Sequence, residues 1–249
     1  MNEGIRRPSP PPLSGTAELL AGQSKGFRDF HDQLNQWGYV VLDYETTGFD
    51  VGNKPVQVAA LRVVDGKEHD WLNLYMSPGE PLGEWSAANL RGPTGEPLTD
   101  QWLAEQPSIL EQHEKLIAFL GDSIVVAQYL PFDAEVLERT LLDCGLKWQM
   151  RGGLDTKGFF AAALPPGPCA PPGYRLANLT EFFEVELGDN HHDAMFDVVA
   201  THEVLQRGLH YAETHGDVRA LDGRIQKVKY VAALREFFLS HRRTQSLLV

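Results

Sequence analysis

Four acids and a histidine carry the chemistry in this chain. Asp43 and Glu45 stand two apart at the end of Tyr39-Val40-Val41-Leu42-Asp43, a short apolar run that reads as a buried strand. Residues i and i+2 of a strand share one side, so the two carboxylates project together. Adjacent carboxylates repel and need a proton or a cation, and hard oxygen donors suit Mg²⁺ or Mn²⁺. Thr46-Thr47-Gly48 then turns the chain and is expected to expose backbone and hydroxyl groups beside the metals. Asp133 follows Phe132 at the predicted start of a helix, where an Asp serves as a cap as readily as a ligand. In His191-His192-Asp193-Ala194-Met195-Phe196-Asp197, Asp197 falls in the first turns of another helix and His192 lies just before it. A neutral His near metals can take a proton from an attacking water. Singly, these features have plain readings: a solvated strand end, a helix cap, a surface histidine.

The elements that must hold these groups follow from periodicity. A helix is predicted from Ser24, with Phe27, Phe30, Leu34 and Trp37 on one face and Gly38 as its stop. Pro55 to Val64 and Trp71 to Met76 read as strands, with Asp65-Gly66 as the turn between them. With Tyr39–Asp43 they predict an antiparallel meander. Ser108-Ile109-Leu110-Glu111 matches a capping box, and its helix presents Ile109, Leu110, Leu116, Ile117 and Leu120. Ile124–Ala127 is a buried strand. A helix follows from Asp133, with Val136, Leu137, Leu141 and Cys144 inward and Gly145 as stop. Leu154-Asp155-Thr156 ends a further strand, and Leu176–Phe183 and Ala194–Leu209 read as helices. Three strands followed by alternating helix and strand predict an α/β chain, a mixed sheet flanked by helices.

Three segments are expected: a mobile Pro-rich tail over 1–23, a main domain over 24–212, and a basic C-terminal helix and tail over 213–249. From Asp217 to Arg243 seven basic residues (Arg219, Arg224, Lys227, Lys229, Arg235, Arg242, Arg243) face three acids (Asp217, Asp222, Glu236), against a net charge of −12 for the chain. This segment is predicted to extend a nucleic acid path, with a merely solvated basic face as the alternative. The overall acidity opposes phosphate binding unless several acids neutralise bound cations. Two cysteines, Cys144 and Cys169, lack zinc-ligand spacing and predict a reducing, cytoplasmic setting. No apolar run approaches membrane-spanning length, so no membrane partner is expected.

Asp43-x-Glu45-Thr46-Thr47-Gly48, then Phe132-Asp133, then His192-x-Ala194-x-x-Asp197, in this order, resemble the DnaQ-like (DEDDh) 3′–5′ exonucleases, which include polymerase proofreading subunits and RNase T. The resemblance runs from about Tyr39 to Leu209. It implies a ribonuclease H-like sheet of five strands with a C-terminal helical extension. It implies Asp43, Glu45, Asp133 and Asp197 as ligands of two divalent cations, Mg²⁺ or Mn²⁺, and His192 as general base. Two cations would clamp the scissile phosphate, and the product would be a nucleoside 5′-monophosphate. Thr46, Thr47, Gly48, Gln128 and Tyr129 are the expected substrate contacts. The family often has His-Asn where this chain has Gln128-Tyr129, and Pro81 to Trp102 departs from its pattern. The implied partner is a single-stranded 3′ end, DNA favoured over RNA. A 3′-trimming RNase and a non-catalytic polymerase-associated module remain open. Gln245-Ser246-Leu247-Leu248-Val249 loosely resembles a sliding-clamp peptide, so a polymerase or clamp is a further expected partner.

Overall fold

The computed structural model describes residues 26–48, 52–150, 152–185 and 193–221. The expected tail over 1–23, His191 and His192, the basic segment beyond Leu221 and the C-terminal Gln245–Val249 lie outside the described residues. Among the described residues no helix is long and apolar enough to cross a membrane.

Helix α1 (Phe27–Trp37) ends at Gly38, whose φ of 73° suits glycine and whose added Cβ would meet the Val63 carbonyl at 2.8 Å. The chain then enters β1 (Tyr39–Thr46), β2 (Pro55–Val64) and β3 (Lys67–Tyr75). Asp65 and Gly66 both take positive φ, as a tight hairpin between β2 and β3 requires. Strand β3 begins four residues before the predicted Trp71, because the hairpin pairs Val64 with Lys67. Short helices α2 (Glu84–Asn89) and α3 (Asp100–Ala104) occupy the stretch that departs from the family pattern. They enclose a small core of Val56, Tyr75, Leu90, Leu98 and Leu103.

Helix α4 (Ile109–Leu120), strand β4 (Ile124–Ala127) and helix α5 (Leu130–Asp143) follow. Then come β5 (Gly153–Asp155), α6 (Thr156–Ala163), α7 (Leu176–Phe182) and α8 (Ala194–His215), and a short 3₁₀ turn, Val218–Leu221. The strand order is β3-β2-β1-β4-β5. β1 pairs antiparallel with β2 and parallel with β4, and β4 pairs parallel with β5. This is the mixed five-stranded sheet flanked by helices that the resemblance implied.

Both faces of the sheet are covered. The odd residues Tyr39 and Val41 of β1 join a core with Phe30, Leu34, Phe160 and Leu205, from α1, α6 and α8. The even residues Val40, Leu42 and Tyr44 join the opposite core with Leu116, Leu120 and Leu137, from α4 and α5. β2 is buried almost throughout, as a strand covered on both faces must be.

Three expectations are corrected. Leu110 is 43% exposed, and Gln112 and His113 join Leu116 and Leu120 on the buried face of α4. The two polar residues are tolerated there because each finds a partner: Gln112 Nε2 donates to the Tyr75 carbonyl at 2.7 Å, and His113 Nε2 meets Tyr44 Oη at 3.0 Å. Cys144 is half-buried at the end of α5 rather than in the core. Helix α8 runs six residues past the predicted Leu209, to His215, because its last turns still bury Ala212.

Candidate active site

Strand parity brings the first two acids together. Asp43 and Glu45 continue the odd row of β1, beyond the apolar Tyr39 and Val41, on the face covered by α8. Asp197 lies in the first turn of α8. Carboxylate oxygens of Asp43, Glu45 and Asp197 lie within 4.8 Å of one another. Two oxygens across an octahedral Mg²⁺ or Mn²⁺ are about 4.2 Å apart, so small rotations suffice for these donors to share a cation. The donor set is all oxygen, as such an ion prefers, and it fits.

Asp133 comes from the other side of the sheet. Helix α5 begins at Leu130, three residues earlier than predicted, with Pro131 in its first turn where no backbone hydrogen bond is lost. Asp133 is therefore not the cap. Its Oδ1 accepts from the backbone N–H of Tyr44 at 3.1 Å, between the two acids of β1. The side chain is buried, so α5 is tied directly to the strand that bears Asp43 and Glu45.

The four acids destabilise one another's charged forms. Burial first, then the charges of Asp133, Asp197, Glu45 and Asp193, hold the Asp43 carboxyl well above the usual carboxylate range. Burial and the charges of Asp197 and Asp133 push Glu45 up to about 8. Burial likewise pushes Asp133 up to about 8, against the lowering effect of its hydrogen bonds to backbone N–H groups. A site in which burial and repulsion both raise the acids is one where a cation relieves both.

The residues expected to touch substrate are mostly engaged within the fold. Thr46 and Thr47 are buried, which corrects the expectation of exposed hydroxyls. Thr46 Oγ1 donates to the Gly48 carbonyl at 2.5 Å. Thr47 Oγ1 donates to Glu80 at 2.7 Å and accepts from Lys54 N–H at 3.0 Å. The turn's backbone also supports α2: Ser86 Oγ donates to the Thr46 carbonyl and Gly83 N–H to that of Thr47. The Gln128 amide donates to the Tyr174 carbonyl at 2.9 Å and accepts from Thr156 Oγ1 at 2.6 Å, fastening β4 to α6. Tyr129 caps α5, and the Lys157 ammonium lies 4.4 Å from its ring centre.

Two residues went unnoticed in the sequence or were set aside. Asp193 caps α8, accepting from Met195 N–H at 2.9 Å. Gln57, fully buried in β2, donates to that same carboxylate at 2.8 Å. The available signal was an amide in an otherwise apolar strand, a group that must find partners when buried.

A family model described as exonuclease matches residues 40–205. The PolC-type DNA polymerase III of Halalkalibacterium halodurans is 31% identical over 182 residues, 73% of this chain but 12% of that one. The chain thus spans about one eighth of the length of that relative. E. coli exonuclease I, solved with zinc and single-stranded DNA, superposes with a TM-score of 0.58 at 17% identity, covering 85% of this chain and 44% of that chain. A 3′-exonuclease that recognises the histone mRNA stem-loop superposes with a TM-score of 0.55 at 10% identity, covering 73% and 84%.

Proposed function

This chain belongs to the exonuclease family, of the DnaQ-like 3′–5′ type, and on that premise we propose that it hydrolyses phosphodiester bonds at the 3′ end of single-stranded or frayed DNA, in proofreading or repair. The observation that carries the reading is the convergence of Asp43, Glu45 and Asp197 within 4.8 Å, with Asp133 tied to the peptide between the first two.

Asp43, Glu45, Asp197 and Asp133 would hold two divalent cations, Mg²⁺ or Mn²⁺. Such cations, when bound, supply a nucleophilic water near neutral pH and neutralise charge on the phosphate. The chain's own contributions are distinct. β1 and α8 hold three carboxylates on one face of the sheet, and α5 holds the fourth at the strand end. Asp133 spends one oxygen on Tyr44 N–H, which fixes how the other presents itself. His192 is the proposed acceptor of the water's proton. It precedes Ala194 and Asp197 by two and five residues, the family spacing. Thr46, Thr47 and Gly48 act on the strand through the shape of their turn, because the two threonine hydroxyls are occupied within the fold. Gln128 supports the site from the turn just after β4, and Tyr129 with Lys157 offers an aromatic face and a positive charge at the start of α5. DNA is favoured because the sequence relative is a DNA polymerase. A polymerase partner is proposed on the same ground, and a clamp partner on the likeness of Gln245–Val249 to a clamp peptide.

The test uses 3′- and 5′-labelled single strands of DNA and RNA, with Mg²⁺, Mn²⁺ or EDTA, and wild type beside Asp43→Ala. Stepwise loss of 3′ mononucleotides from DNA, abolished by EDTA and lowered by orders of magnitude in Asp43→Ala, is the expected result. Faster trimming of RNA would reverse the substrate assignment, and activity persisting in EDTA would end the metal reading.

A further inference from the structure

Asp197 reaches the cluster from a helix, whereas Asp43 and Glu45 are built into the sheet. Donors that share one cation must be held to a few tenths of an ångström, so the first turn of α8 has to be pinned to β1 and its neighbours. Gln57 does this. It lies on β2 directly opposite Glu45 in the antiparallel register, and so on the same face. Its Nε2 donates to Asp193 Oδ1 at 2.8 Å and to Asn73 Oδ1 at 3.0 Å. Its Oε1 accepts from Ala194 N–H at 3.3 Å. Asp193 and Ala194 are the cap and first residue of the helix that bears Asp197.

The polarity of these partners makes the position specific. A peptide N–H cannot accept and an ionised carboxylate cannot donate, so the residue at 57 must offer both functions at once. Both amide protons and the carbonyl oxygen are in use. A carboxylate at 57 would oppose Asp193 with like charge. An apolar side chain would leave the Ala194 N–H, Asn73 and a carboxylate short of partners in a buried setting.

We propose that Gln57 is a positioning residue that sets Asp197 against Asp43 and Glu45 by locking Asp193 and Ala194 to the sheet. The proposal rests on the cluster being the metal centre. Loss of Gln57 therefore shows as weakened metal binding, beyond any loss of stability. The exchange of partners supplies a rescue: in Gln57→Glu with Asp193→Asn, the carboxylate at 57 still accepts from Ala194 N–H, the amide at 193 turns so that its N–H donates to that carboxylate while its oxygen keeps Met195 N–H, and the Asn73 amide flips to donate to the carboxylate at 57. The net charge is unchanged.

The experiment measures Mn²⁺ binding to the full chain by titration calorimetry and by loss of the free-Mn²⁺ paramagnetic signal, with thermal melting in EDTA to confirm folding. Gln57→Met should weaken Mn²⁺ affinity by about 10–100-fold, the usual scale for losing a partner that orients a ligand. Gln57→Glu alone should weaken it at least as much, and adding Asp193→Asn should recover most of the loss. If Gln57→Met melts before the assay temperature, the recovery of Gln57→Glu by Asp193→Asn decides the matter alone. Wild-type Mn²⁺ affinity in folded Gln57→Met, or no recovery in the double variant, would overturn the proposal. Absence of Mn²⁺ binding by the wild type would instead overturn the metal reading beneath it.

Discussion

Replacing Asp43 with Asn should raise stability at pH 8 in protein stripped of divalent cations, and should abolish hydrolysis when the cations are restored. Asp43 shares a 4.8 Å cluster with Glu45 and Asp197, with Asp133 and Asp193 adding further negative charge. One pair of unit charges at that distance costs about 3.5 kcal/mol at an effective dielectric of 20. Protonation and solvent relaxation remove part of this, because Glu45 and Asp133 are both pushed up to about 8 and share protons near that pH. Taking about half leaves a gain of roughly 2 kcal/mol, or about 4–8 °C in Tm for a chain of this size. The sign follows from linkage. Carboxyls raised in the folded state keep protons that the unfolded chain has released, so the wild type loses stability as pH rises from about 4 through about 8. The advantage of the variant should shrink as the pH is lowered toward 5. Mn²⁺ at about a hundredfold excess over its Kd adds about 2.7 kcal/mol to the wild type and far less to the variant, so their order should reverse. Circular dichroism melts at pH 8 and pH 5, with EDTA or Mn²⁺, measure all four corners. If Asp43→Asn melts at or below the wild type at pH 8 in EDTA, neither burial nor repulsion holds this carboxyl above its ordinary range.

Three other outcomes are expected. His192→Ala should slow hydrolysis by about 10²–10⁴-fold with nearly unchanged Mn²⁺ binding, and His191→Ala far less; single-turnover rates with the two effects interchanged would move the base by one residue. Gly208→Ala should lower stability by about 1–3 kcal/mol, because the added Cβ would sit 2.3 Å from Phe160 in the main core; an unchanged urea midpoint would show that the aromatic cluster yields freely. Replacing Lys227, Lys229 and Arg235 with Gln should weaken single-strand binding and flatten its dependence on salt, as measured by fluorescence anisotropy, whereas an intact salt slope would make the basic segment a merely solvated face.

The positions of the clustered acids were legible because strand and helix periodicity report which way a side chain points. Asp43 and Glu45 obey the two-residue rule of β1, and Asp197 falls in the first turn of α8 as read. What periodicity does not report is which polar group completes which hydrogen bond. Asp133 looked like a helix cap, and only the crossing of α5 over β1 reveals Tyr44 N–H as its partner. Gln57 lies among valines and alanines and meets Asp193 136 residues away, a pairing that no local pattern encodes. Thr46, Thr47 and Gln128 were expected beside the substrate from the resemblance, and most of their own hydrogen-bond partners within the fold are not encoded locally. Their hydroxyls and amide are consumed by Gly48, Glu80, Tyr174 and Thr156. Leu110 was placed inward for being apolar, although the buried face of α4 runs through Gln112 and His113.

The single row of alternate side chains on β1 that passes from Tyr39 and Val41 into Asp43 and Glu45 makes core and site one continuous object. A slip of the strand by one residue would carry Tyr44 to the α8 side and turn both acids into the apolar layer beneath α4 and α5. That error is opposed from both edges at once, by the pairing of Tyr39–Glu45 with Gln57–Val63 on one side and of Tyr39–Val41 with Ile124–Val126 on the other. The charged cluster, which costs the fold stability, thus shares its register with the core residues of the same strand, and neither can be displaced without the other.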